Sequence, residues 1–191
     1  MKKKLILIFV PIILLAAALL IALPYYENQK EVDNYAFTMD SIDGKVSLSD
    51  FKGKLPIIYF GYMYCPDICP TSLSMTAEAL KRLPKIDSDK FQLIFISVDP
   101  DRDKLKDLKQ YASYFYPNAI GLTSNDKYLK EVTAKYGTYY SKEYLKGSKM
   151  GYSVAHTSFI YIMDKEGKIQ GKISHVDNPE VVYKALEEAI K

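Results

Sequence analysis

The chain has 191 residues, enough for one ordinary domain and an appendage. Its 26 Lys and Arg face 23 Asp and Glu, and three of those cations are Lys2, Lys3 and Lys4 at the start, so the remainder is balanced. That balance argues against a nucleic-acid binder, which concentrates basic residues on one face, and 48% hydrophobic with 26% charged residues is a globular composition without low-complexity tracts.

The first element is the apolar run Leu5 to Leu23, which contains no charged or strongly polar residue. As a helix rising about 1.5 Å per residue, it nearly spans a hydrocarbon core of about 30 Å. The three lysines before it favour a cytoplasmic N-terminus. Tyr25 and Tyr26 suit the opposite interface, and membrane helices tolerate a proline such as Pro11. A cleaved signal peptide is the competing reading, because Ala16-Ala17-Ala18 resembles a small-residue cleavage site. The apolar run continues past it through Leu23, which favours an uncleaved anchor. No cysteine follows closely, which excludes a lipoprotein anchor. The expected organisation is therefore cytoplasmic lysines and a single transmembrane helix over 1–24, a polar tether over 25–34, and a folded domain over 35–191. That domain is expected at the inner membrane, facing the periplasm or cell exterior, where disulfides are permitted.

Within the domain, Tyr35 to Met39 and Val46 to Leu48 flank Asp43-Gly44 and predict a hairpin. Leu55 to Tyr62 predicts a buried strand by its β-branched and aromatic content. Apolar Leu73, Ala77, Leu80 and Leu83 predict a helix over 71–83. Phe91 to Val98 predicts a strand covered on both faces. Helices follow over 103–116, ended by Pro117, and over 126–136, capped by Asn125 or Ser124. Thr157 to Met163 and Lys168 to Ser174 predict a second hairpin, and Asn178-Pro179 opens a helix to Ile190. Strands alternating with helices and closing on an antiparallel pair predict an α/β fold, a thioredoxin-like mixed central sheet flanked by helices.

The chemistry concentrates at Cys65 and Cys69, the only cysteines, in Tyr64-Cys65-Pro66-Asp67-Ile68-Cys69-Pro70. They lie at the carboxyl end of a strand and near a helix N-terminus, where free N–H groups and the helix dipole favour a thiolate. Such a pair closes a structural disulfide, exchanges one with a partner, or holds a soft metal. His156, placed at the start of the strand Thr157–Met163, is a candidate third ligand. Two thiolates and an imidazole suit Cu(I) and accept Cu(II), whereas a closed zinc site needs a fourth ligand, for which Asp67 is a candidate. A lone histidine at a strand start is more often a hydrogen-bonding residue, and His175 belongs to that class. Asp99-Pro100-Asp101-Arg102-Asp103 reads as a charged turn capping a helix. The scattered methionines read as core packing.

Three segments together resemble the Sco/SenC family of copper-binding proteins: Phe60 to Pro70 with its Cys-x-x-x-Cys, Ser97 to Asp103, and His156-Thr157 followed by Tyr161-Ile162-Met163-Asp164. The resemblance covers about Tyr35 to Lys191 and includes the anchor before it. It implies a thioredoxin-like fold and a copper site of Cys65, Cys69 and His156. It also implies a copper chaperone that helps assemble the dinuclear copper centre of cytochrome c oxidase subunit II, loaded by a copper donor or served by a thiol reductant. The alternative within the family is a thiol–disulfide reductase using Cys65 and Cys69 as its redox-active pair. Tyr64 stands where the family often has histidine, and Ala155 where it often has aspartate before the site histidine. Neither position is a ligand in the family pattern; the departures leave the client oxidase open.

Overall fold

The computed structural model describes residues 2–174 and 178–191, with side chains from Leu14 onward; His175 lies outside the described residues. The chain forms two units, a leader through Asn34 and the body Tyr35–Lys191. The leader is the helix α1, Lys2–Tyr35, which runs through the segment read as a tether. Among the described residues no helix is long and apolar enough to cross a membrane. The expected span over 5–23 lies partly outside the residues whose side chains are described.

The body begins with the hairpin β1 (Thr38–Ser41) and β2 (Gly44–Ser47) and a 3-10 turn, Leu48–Phe51. Then come β3 (Leu55–Gly61), α2 (Ile68–Arg82), the short α3 (Lys85–Ser88), β4 (Phe91–Ser97), α4 (Leu105–Phe115), β5 (Ile120–Leu122) and α5 (Asp126–Lys135). A ribbon of β6 (Tyr140–Tyr144) and β7 (Tyr152–His156) precedes β8 (Phe159–Met163), β9 (Ile169–Ser174) and α6 (Pro179–Ile190). The central sheet has the order β5-β4-β3-β8-β9. Strands β3, β4 and β5 are parallel, and β8 and β9 are antiparallel additions. This is the mixed sheet flanked by helices that the alternating pattern predicts.

Every residue of β3 and β4 is buried, as their continuous apolar runs require of strands covered on both faces. Successive side chains point to opposite faces, so Tyr59 and Phe60 begin two separate aromatic clusters. Tyr59 stacks on Phe95, 6.5 Å between centroids, and Phe95 meets Tyr111 of α4 at 5.1 Å. Phe60 meets Tyr136, just beyond α5, at 5.2 Å and Tyr161 of β8 at 6.0 Å. Helix α6 packs on α2, where the Arg82 guanidinium lies 4.3 Å from the Tyr183 ring centre.

Four expectations need correction. The strand expected from Thr157 begins at Phe159, and His156 ends β7 instead of opening β8. The Thr157 N–H still bonds the Tyr139 carbonyl at 2.9 Å, carrying the ribbon's pairing one residue further before the chain crosses to the central sheet. The ribbon, α3 and β5 were not expected: all are short, and the ribbon buries only Val154. Helix α2 starts at Ile68, ahead of Thr71, because a proline at the third helical position sacrifices only an N–H that has no partner inside the helix. Helix α4 starts at Leu105, two residues past Asp103, because Asp99–Asp103 closes its own turn, with the N–H groups of Arg102 and Asp103 both on the Asp99 carbonyl.

At Gly121 the backbone of α4 comes against β5 so closely that a Cβ would stand 2.4 Å from the Leu108 carbonyl oxygen. Backbone cannot swing aside as a side-chain tip can. Gly121→Ala should therefore destabilise the body by about 1–3 kcal/mol, read as a lower urea midpoint with an unchanged slope.

Candidate metal centre

Strand β3 delivers the chain at Gly61, and the loop Tyr62–Asp67 turns it into α2. The loop is pinned at two points: the Cys65 N–H donates to the Tyr62 carbonyl at 3.3 Å, and the Met63 N–H donates to Asp103 Oδ2 at 2.9 Å. A helix start leaves four N–H groups without intrahelical partners, and an N-cap oxygen ordinarily takes one. Asp67, at the N-cap, makes no such bond with its side chain. The Cys69 N–H instead donates to Cys65 Sγ at 3.4 Å. Sulfur caps this helix.

Cys69 is fully buried and Cys65 half-buried, and neither is in a disulfide. The floor beneath Cys69 is Gly61, where an added Cβ would stand 2.8 Å from Cys69 Sγ. His156 arrives from β7, paired across the ribbon with Tyr140. Its Nε2 is 3.2 Å from Cys69 Sγ, and its Nδ1 is 3.3 Å from the Thr157 carbonyl. A carbonyl only accepts, so Nδ1 carries the proton and Nε2 offers its lone pair to the cysteines. Tyr62 and Tyr59 meet the imidazole edge-on, at 5.8 and 6.4 Å.

The donor atoms of Cys65, Cys69 and His156 all lie within 4.8 Å of one another. Among the described residues no other group of His, Cys, Asp and Glu donors converges in this way. Asp67 is not in the group; its carboxylate accepts the Thr71 hydroxyl at 3.3 Å.

The two sulfurs are electrically unlike. The Cys69 thiol, donating to Cys65, holds the Cys65 thiol well below the ordinary cysteine range. The backbone N–H groups of Cys69 and Asp67 add to this against the opposing effect of burial. The same contact with Cys65, together with burial, raises the Cys69 thiol. The result is an outer thiolate, an inner thiol and an imidazole lone pair, a donor set suited to a soft metal ion or to thiol exchange.

Sequence reasoning identified all three donors but not what surrounds them. It missed Tyr59 and Tyr62 against the imidazole, and it missed the ribbon that carries His156. It read Asp99–Asp103 as a helix cap, yet that turn holds the cysteine loop through Asp103. One signal was available: the cations are lysines except Arg82 and Arg102, and Arg102 lies inside the aspartate-rich turn.

The SCO1/SenC family profile matches residues 25–191. An SCO2-like protein of Rickettsia conorii is 38% identical over 144 residues, 75% of this chain and 69% of that protein. The copper-bound structure of Arabidopsis thaliana ScoI matches with a TM-score of 0.73 at 31% identity, over 81% of this chain and 96% of that one. The structure of BsSco, a member of the Sco family of cytochrome c oxidase assembly proteins in which a disulfide switch has been identified, matches with a TM-score of 0.61 at 28% identity, over 81% and 91% of the two chains.

The unlike sulfurs have a direct chemical consequence. A depressed pKa keeps Cys65 as thiolate at pH values where an ordinary thiol is protonated. In the reduced protein, Cys65 should alkylate at pH 5–6 almost as fast as at pH 8, with Cys69 silent until the protein unfolds. Mass-spectrometric mapping of iodoacetamide adducts across pH reads this; a Cys65 rate that falls about tenfold per pH unit below 8 contradicts it.

Proposed function

This chain belongs to the SCO1/SenC family, and we propose that it carries copper on Cys65, Cys69 and His156 for the assembly of a cytochrome c oxidase. The observation that carries this reading is the convergence of two sulfurs and one imidazole nitrogen within 4.8 Å. The fit is chemical as well as geometric. Copper takes thiolate and imidazole donors in either oxidation state, and three protein donors leave it able to accept another from a client. Cys65 already favours the thiolate, so loading displaces chiefly the Cys69 proton. Cys69 is the inner donor, and the half-buried Cys65 and His156 are the donors on the open side.

The client in this reading is the dinuclear copper centre of oxidase subunit II, and a copper donor and a thiol reductant complete the cycle. The run Leu5 to Leu23 acts as an anchor in the cytoplasmic membrane, with the body outside the cytoplasm. Tethering a carrier in the membrane of its client raises their effective concentration without any added contact.

The half-buried Cys65 thiolate over a buried Cys69 also favours a second reading, reduction of a client disulfide. Cys65 attacks one client sulfur, forming a mixed disulfide and releasing a client thiolate. Cys69 then loses its proton and attacks Cys65, releasing the second client thiolate and leaving a Cys65–Cys69 disulfide. Two electrons pass to the client.

Copper titration of the reduced full chain separates the readings. One copper per chain is expected, with sulfur-to-copper charge transfer in the Cu(II) spectrum. His156→Ala should weaken Cu(I) by more than the roughly 10–100-fold typical of changes outside the ligand shell. Affinity indifferent to His156 refutes the three-donor site. A Cys69→Ser chain that traps an oxidised client as a mixed disulfide, with no copper bound by the wild type, establishes the reductase instead.

A further inference from the structure

We propose that Arg102 is a positioning residue for this site, latching the ribbon that carries His156 onto the turn that holds the cysteine loop. The proposal rests on the copper reading above and extends it to a residue that touches no donor atom.

The two arms of the site have different origins. The cysteine arm is continuous with β3 and α2, inside the main core. The histidine arm is the β6–β7 ribbon, whose strands pair only with each other and with no strand of the central sheet. Such a ribbon is marginal by itself, so the placement of His156 depends on what ties the ribbon down.

The turn Asp99–Asp103 ties both arms. On the cysteine side, Asp103 Oδ2 accepts the Met63 N–H at 2.9 Å and the Ser97 hydroxyl at 2.6 Å. On the histidine side, Arg102 Nη1 donates to the Tyr152 carbonyl at 2.8 Å and reaches the Met150 carbonyl at 3.4 Å. The guanidinium carbon lies over the Tyr152 ring, 3.7 Å from its centre, with the Tyr64 ring of the cysteine loop at 5.0 Å. Asp99 completes the latch: one oxygen takes Arg102 Nε at 2.5 Å, and the other takes the Tyr152 hydroxyl at 2.7 Å. Tyr152 opens β7 and His156 closes it, so the latch sets where the strand begins.

A stabilising role alone explains this poorly. Asp99 and Asp103 are both essentially fully buried. Burying charges costs several kcal/mol each before pairing returns any of it. Arg102 Nη2 is itself buried without a hydrogen-bond partner. The guanidinium is thus placed for its contact with Tyr152 and the ribbon backbone more than for full hydrogen bonding. Lysine offers one point charge and no flat face, so it cannot replace both contacts.

The test is a double-mutant cycle in the reduced full chain: Arg102→Lys with and without His156→Ala, read by Cu(I) competition and by the Cu(II) charge-transfer spectrum. Arg102→Lys is expected to lower copper affinity about 10- to 100-fold and to shift the charge-transfer band. In the His156→Ala background it should do neither, because its action passes through His156. Equal loss in both backgrounds, or no loss in either, overturns the proposal. Should Arg102→Lys fail to fold, Tyr152→Leu removes the latch from the ribbon side and must show the same dependence on His156. A wild-type chain that binds no copper defeats the parent reading, and this one with it, before any variant is made.

Discussion

Cys65 Sγ accepts the Cys69 N–H at 3.4 Å, where an oxygen would ordinarily cap the helix. This contact ties the reactivity of the site to the start of α2. The unpaired N–H groups that every helix must satisfy are spent here on stabilising a thiolate. Three intervening residues put Cys65 in the loop before the helix and Cys69 inside its first turn. The cap has a second effect. With Cys65 drawn toward the charged form, the buried Cys69 a few ångströms away is driven toward the neutral one. One helix terminus thus produces two different sulfurs from two identical residues.

The site joins a rigid arm to a lightly held one. Gly61 lets Cys69 press onto β3, and that strand is buried along its whole length between β4 and β8. No comparable packing holds His156. Its ribbon buries only Val154, with Tyr140 and Tyr152 against the core edge, and is otherwise attached through the Arg102–Tyr152 contacts, the Lys142–Asp101 ion pair and the Tyr140 hydroxyl on Asp126. Closely packed cores resist displacement, whereas a ribbon on a few polar ties shifts at small cost. In the proposed carrier role the site must hold copper and also release it, and this division puts the give on the histidine side.

Legibility in the sequence followed the strength of the local signal. The runs at Leu55 and Phe91 are long and apolar, and they became the central parallel pair. The cysteines could be placed because a strand-to-helix turn is visible from its flanks. His156 was identified as a donor but put on the wrong strand. In Tyr152-Ser153-Val154-Ala155-His156 only one residue reaches the core, so a ribbon with so little to bury leaves almost no alternation to read. The role of Asp99–Asp103 was hidden for another reason. A charged stretch is normally solvated, and nothing local says that Asp99 and Asp103 are buried beneath two other loops. That information lies in contacts 40 and 53 residues distant along the chain.

The 17 tyrosines, which carried no message in the composition, acquire one in the fold. Several hydroxyls in the body secure neighbouring segments: Tyr136 bonds the Tyr35 carbonyl, Tyr161 the Tyr136 carbonyl, Tyr140 Asp126 and Tyr152 Asp99. Phenylalanine would fill the same volumes without these ties. Near the site the pattern changes. The Tyr111 hydroxyl is buried without a hydrogen-bond partner, and the Tyr59 hydroxyl lies among Ser72, Ser158 and Cys69. Burial raises the pKa of each. An unpaired buried hydroxyl costs about 1–3 kcal/mol, and a core built for stability alone would carry phenylalanine in place of Tyr111. Tyr59 differs, because its hydroxyl interacts with Cys69 itself. A hydroxyl turns to accept from a neutral thiol or to donate to a thiolate without any backbone movement, and the inner sulfur is the donor whose charge state changes as the site loads.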